Sequence, residues 1–229
     1  MLSSLPPFVL FFVGAVVIAF TRGTARKVLI LAIPLVGGLN LWFGVEPGLH
    51  LQFDLLGYTL TPYRADKLSL LFGYLFHLAA FLGFVYALHL GDGAPEGSVA
   101  GEVGEDDIIG NASAGLQHVA AMVYAGSALG AVFAGDFITL FIFWELLAIS
   151  SAFLVWARKS ERSYATGFRY LIIHVISGVL LLSGALMLAH ETGSIAFGHV
   201  GLAGTGAAGW ILLLSFGIKA GFPLLHNWI

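Results

Sequence analysis

Residues 136–156 read DFITLFIFWELLAISSAFLVW. A membrane-spanning helix needs about 20 mainly apolar residues, and Phe137–Trp156 supplies them without the period-two alternation of a barrel strand. One acid interrupts the run. At a rise of about 1.5 Å per residue, Glu145 falls near mid-depth. An ionisable side chain there costs roughly 2.5–3.5 kcal/mol on insertion scales. Two readings of Glu145 follow: a protonated or paired carboxyl that serves packing, or a carboxylate facing a hydrated path whose charge depends on a nearby cation.

The flanks repeat the pattern. Leu5–Phe20, Val28–Gly44, Leu68–Leu90, Leu116–Ala134 and Ala165–His190 are further apolar runs, and another begins near Ala208 and is interrupted at Pro223. The reading is an all-α polytopic transmembrane bundle with six full spans and the first part of a broken seventh helix. Composition agrees. Of 229 residues, 59% are hydrophobic and 10% charged, against about 25% charged in a soluble domain. Ten basic and thirteen acidic side chains are too few to cover a water-facing surface of this size. A soluble globule, a nucleic-acid binder and a disordered regulator are thereby excluded. Zero cysteines remove disulfides and thiolate chemistry.

Arg22, Arg26 and Lys27 follow the first apolar run, whereas a signal peptide carries its positive charge ahead of the core. The positive-inside rule places 21–27 in the cytoplasm and the N-terminus outside, in a cell (inner) membrane. Alternation puts Arg158, Lys159 and Arg162 inside too. Three regions result. Residues 1–90 hold three helices, with a small extracytoplasmic hairpin expected near 45–63 around Leu56-Gly57. Residues 91–115 carry six acids and no Lys or Arg, and read as a solvated cytoplasmic linker. Residues 116–229 begin a helix repeat that remains incomplete.

Lys219 is the second costly charge, in LLLSFGIKAGFPLL. Pro223, four residues on, has no N–H for the carbonyl of Lys219, and Gly217 and Gly221 loosen the helix on either side. Broken helices at membrane depth line cavities and mark ion sites. The plainer alternative is a proline kink with a structural salt bridge. His174, in RYLIIHVISGVLL, suits a proton relay as well as it suits a satisfied core position. His226, after the break, is open in the same way. His77 and His89 read as packing or interface residues, and Asp136 as a helix cap. No pair of histidines has HxxxH or HExxH spacing, so neither a metal site nor a cofactor is expected. A buried acid, a buried lysine on a broken helix and a histidine between them in sequence are the minimum for proton movement by coupled charge.

The segments AGDFITLFIFWELLAISSAFLVWA, FRYLIIHVISGVLLLSGALML, TGSIAF and FGIKAGFPLLHNW resemble the antiporter-like membrane subunits shared by Mrp-type cation/proton antiporters, complex I and membrane-bound hydrogenases. YAGSALGAVFAGD and KAGFPLLHNW are most similar to the D component of the Mrp type, and RADKLSLLFG resembles the family's third-helix opening. The resemblance implies a fourteen-helix subunit with two inverted repeats, of which this chain is the N-terminal half. It pairs a fifth-helix glutamate with a lysine on a broken seventh helix, at positions matching Glu145 and Lys219. It gives His174 and His226 onward proton transfer. Ile229 lies just past the first break, so a second chain completing the subunit, or a truncated product, is expected.

The implied function is the N-terminal part of an ion-translocating subunit in an Mrp-type monovalent cation/proton antiporter, a secondary transporter rather than an enzyme. Its partners are other membrane subunits, protons and a monovalent cation, with no nucleic acid. A proton-pumping, non-redox subunit of complex I or a membrane-bound hydrogenase uses the same residues. A non-transporting truncated scaffold is the third reading.

Overall fold

The computed structural model describes residues 5–90, 105–157, 161–198 and 206–223, with only the backbone of 89–90 and 105–114. Seven helices and one hairpin are present among the described residues. Helix α1 (Pro7–Phe20) opens with proline at its first position, where the missing N–H has no intrahelical partner to lose. Helix α2 (Gly23–Gly44) carries Pro34 in its interior. Helix α3 (Lys67–Leu90) is capped reciprocally: Ser69 N donates to Asp66 Oδ1 at 2.8 Å and Asp66 N donates to Ser69 Oγ at 2.7 Å. Helices α4 (Glu105–Phe133), α5 (Phe137–Trp156), α6 (Glu161–Thr192) and α7 (Gly206–Ala220) follow.

The helical membrane architecture is as expected, but two details differ. Five helices among the described residues are long and apolar enough to cross a bilayer. Helices α1 and α7 have 14 and 15 residues, about 21–23 Å of helix against a hydrocarbon core of about 30 Å. Of the six full spans expected, α1 is the one that falls short of that length. Helix α4 also starts at Glu105, inside the stretch 91–115 that composition marks as linker.

Between α2 and α3, strands β1 (Gly48–Leu55) and β2 (Tyr58–Ala65) pair antiparallel, with Gly48 opposite Ala65 and Leu55 opposite Tyr58. The turn is Leu56-Gly57, both with positive φ (51° and 84°), as a type I′ hairpin requires. Tyr63 on β2 is fully buried against His50, with ring centroids 4.5 Å apart, and burial pushes its phenol up to about 12.

Helix packing runs α2 on α3 and α1, α1 and α3 on α4, then α4 on α5, α5 on α6 and α6 on α7. One core joins Phe8, Phe11, Ile30, Leu41, Phe84 and Phe133 of α1–α4 with Phe143 of α5. A second joins Phe137, Leu140, Trp144, Leu181, Ala185 and Leu212 of α5–α7. Asp136 ties the two cores at their hairpin end. It is fully buried and accepts from Thr139 N (2.7 Å), Thr139 Oγ1 (2.6 Å) and Thr61 N of β2 (2.6 Å). Beside it, Phe137 N donates to Ile195 O at 3.1 Å, and Phe197 N to Gly135 O at 3.2 Å. The hairpin, the α4–α5 turn and the segment after α6 thus share one hydrogen-bonded knot.

Candidate functional site

Helices α5 and α6 run antiparallel through a ladder of matched positions. Trp156 Nε1 donates to Tyr164 O at 3.3 Å, Ser151 Oγ donates to Tyr170 OH at 2.9 Å, and Trp144 Nε1 donates to Ser177 Oγ at 3.2 Å. Helix α7 joins at the Trp144 rung. Ser177 Oγ donates to Ser215 O (3.0 Å) and Ser215 Oγ returns a bond to Ser177 O (2.7 Å). Each hydroxyl finds a backbone acceptor, so neither polar group is left unsatisfied in an apolar seam.

The candidate charges gather here. Glu145 is half-buried, and its side chain lies against Gly178: a Cβ at that glycine would overlap Oε1. Oε1 itself is buried with no hydrogen-bond partner among the described residues. Lys219, one turn beyond Ser215, donates from Nζ to the carbonyl of Trp144 at 3.3 Å and sits 4.9 Å from the centroid of the Trp144 ring. A lysine over a tryptophan face gains about 2 kcal/mol or more when desolvated. Glu145 and Lys219 do not touch as an ion pair, since their charged atoms stand more than 4.0 Å apart. Lys219 is nevertheless within electrostatic reach of both Glu145 and His174. His174 is buried, one turn along α6 from Tyr170, with ring centroids 4.0 Å apart. The fold therefore brings Glu145, Lys219 and His174 to one three-helix junction.

His226 lies outside the described residues. The helix break is described, and Gly217 and Gly221 both take part in it. Helix α7 ends at Ala220, ahead of Pro223, which has no N–H for the Lys219 carbonyl. Gly221 takes φ +67°, its N–H donates to Ile218 O at 3.2 Å, and Phe222 N donates to Gly217 O at 2.9 Å. That is a Schellman motif, with glycine at the left-handed position and proline just beyond. Gly217 also leaves room for the Phe222 ring, whose Cδ2 would stand 2.9 Å from an added Cβ.

Sequence reasoning missed Trp144, Ser177 and Ser215, whereas the glycines of SGVLLLSGA, Gly178 among them, read as permitting close helix packing. Trp144 reads as one more apolar residue in LFIFW, and the serines as tolerated polar residues. The available signal was a serine in the middle of each of two apolar helices. His77, read as packing, is buried, with Nδ1 at 2.7 Å from Gly73 O and Nε2 against Gly37. Among the described residues no group of three or more His, Asp or Glu converges.

Residues 134–229 match the family model for the transmembrane domain of NADH:quinone oxidoreductase and Mrp antiporter proteins. The whole chain superposes on part of a chain of respiratory complex I from Thermus thermophilus with bound aureothin, with a TM-score of 0.69 and 18% identity. Over residues 134–229 the chain is similar to the antiporter-like membrane subunits. Among its relatives, Hydrogenase-4 component B of Escherichia coli (strain K12) is 36% identical over 98 residues, covering 41% of this chain and 14% of that protein. The D component of the Na(+)/H(+) antiporter of Bacillus subtilis (strain 168) is 29% identical over 108 residues, covering 44% and 22%. The chain corresponds to 46% of the complex I chain, so it spans less than half of that neighbour. Glu145, Lys219 and His174 all fall inside the segment that matches the family model.

Proposed function

We propose that the chain is part of an ion-translocating subunit of an Mrp-type monovalent cation/proton antiporter, assembled with other membrane subunits. The observation that carries this reading is Lys219, an ammonium held among three apolar helices within electrostatic reach of a carboxylate and an imidazole. Such a cation has no packing advantage over leucine and is costly to bury. In this reading Glu145 modulates the proton affinity of Lys219, His174 passes the proton on, and His226 receives it. The N-terminus faces outward from a cell membrane, consistent with Arg22, Arg26 and Lys27 after α1.

A second reading, a proton-pumping subunit in a redox-driven complex, is favoured by the 36% identity to a hydrogenase component. It uses the same residues and differs in energy source. Dye-monitored cation/proton exchange in vesicles bearing the full complex tests both. Glu145→Ala and Lys219→Ala are expected to lose exchange while assembly stays normal. Exchange unchanged in Lys219→Ala would remove the transport role. Exchange absent in the wild type, with proton uptake appearing only when an electron donor is supplied, would select the redox reading.

A further inference from the structure

We propose that Trp144 is a positioning residue: a neutral docking station that holds the Lys219 ammonium apart from Glu145, so that the lysine has two partners to move between. The inference rests on the transport reading above and adds the second partner that reading lacks. An ammonium that could only pair with Glu145 would be found on the carboxylate. It is found on the preceding residue instead, donating to the Trp144 carbonyl at 3.3 Å with its charge 4.9 Å from the indole centroid. A carbonyl oxygen has two lone pairs, so it can take this bond beside its helical one.

The station is built, not incidental. The indole is held by its own N–H on Ser177 Oγ (3.2 Å), and that hydroxyl is fixed to α7 through Ser215 O (3.0 Å). Phe216 also meets the indole in an edge-to-face arrangement, with centroids 5.3 Å apart and planes at 87°. Trp144 and Ser177 are both buried, so the ring cannot swing away without leaving its N–H and breaking its bond to Ser177. Lys219 and Ser215 are one turn apart on α7, so the helix that carries the cation is anchored to the helix that orients its station. Oε1 of Glu145 meanwhile projects toward Gly178, on the α6 side. A lysine side chain has a flexible four-carbon stem, enough to pass between a residue's carbonyl and its neighbour's carboxylate without backbone movement.

This arrangement gives the proton transfer a neutral resting place. With the ammonium on Trp144, Glu145 is not neutralised by contact, and the lysine stays charged through the carbonyl and the π face. Among the described residues, the titratable groups facing Lys219 are Glu145 from α5 and His174 from α6, with Tyr170 one turn behind His174.

The test is the pH profile of exchange in the full complex. Its alkaline limb reports loss of the charged lysine. Removing the π face in Trp144→Leu is expected to shift that limb to lower pH by about one unit, and Trp144→Phe, which keeps a face, to return most of the shift. A purely structural tryptophan would lower the rate at every pH and leave the limb in place. An unmoved limb in Trp144→Leu, or a limb displaced equally in Trp144→Phe, overturns the station. If Trp144→Leu does not assemble, 5-fluorotryptophan labelling decides. The 19F line assigned to Trp144 by its loss in Trp144→Phe is expected to move with pH in the wild type and stay fixed in Lys219→Gln. A line that titrates equally in Lys219→Gln overturns the inference. Lys219→Ala separates the two levels: retained exchange defeats the transport reading, whereas lost exchange with a fixed Trp144→Leu limb defeats the station alone.

Discussion

Glu145 and Gly178 form a lock whose strength depends on the absence of one methyl group. A Cβ on Gly178 would overlap Glu145 Oε1, so Gly178→Ala must either turn the carboxylate or part α5 from α6. Overpacking of this kind costs about 1–3 kcal/mol. The expected outcome is a lower melting temperature of the purified complex and reduced exchange, both largely recovered by adding Glu145→Asp, which shortens the side chain. Purely additive losses in the double variant would rule out the contact. Asp66 gives a second residue-scale expectation, away from the membrane core. The Ser69 backbone N–H holds its carboxyl below the usual carboxylate range, with help from the Ser69 hydroxyl and Arg64. A depressed carboxyl stabilises the fold above its unfolded value of about 3.9, and that contribution disappears as pH falls through the lower folded value. Hydrogen exchange at the start of α3 should therefore be faster in Asp66→Asn than in wild type at neutral pH. The two should converge on acidification below about pH 4. A gap that persists in acid would mean that the ionised carboxylate is not what caps α3.

At the scale of elements, the end of α7 matters most because Lys219 is its penultimate residue. The proline visible in the sequence suggests that Pro223 breaks the helix. The hydrogen bonds place the break earlier, at Gly221, whose φ of +67° disfavours a side chain by about 1–2 kcal/mol. Gly221→Ala is expected to lose amide protection at 221 and 222 and to displace Lys219. Pro223→Ala should leave both amides protected, because their acceptors are Ile218 O and Gly217 O. Hydrogen–deuterium exchange on the complex reads both variants, and a helix extended past Ala220 in Pro223→Ala would reverse the assignment. Helix α4 makes the complementary point. Its opening stretch reads as solvated linker from composition, yet its backbone is helical from Glu105.

For the molecule as a whole, Asp136 adds a polar tie between two cores that α5 already shares, through Phe143 in one and Trp144 in the other. Capping alone accounts for Thr139, but the bond from Thr61 N reaches across the chain to β2. Asp136→Ala leaves two buried backbone donors without their acceptor and is expected to cost about 3 kcal/mol. The loss should appear both as a lower melting temperature and as faster proteolysis of the hairpin, since the same carboxylate serves both cores. A lowered melting temperature with an unchanged hairpin would confine Asp136 to a local cap. Residues 136–156 alone determined that this is a helical membrane protein with an acid at mid-depth, because hydropathy, length and the cost of burying charge are all local properties. Lys219 was legible for the same reason. The partners of these charges were not, because contact between α5, α6 and α7 depends on which face of each helix turns inward. An isolated apolar run does not specify that. Only the tertiary structure decided that Lys219 rests on Trp144 rather than on Glu145, that two serines clamp α6 to α7, and that Gly221 ends the helix ahead of Pro223.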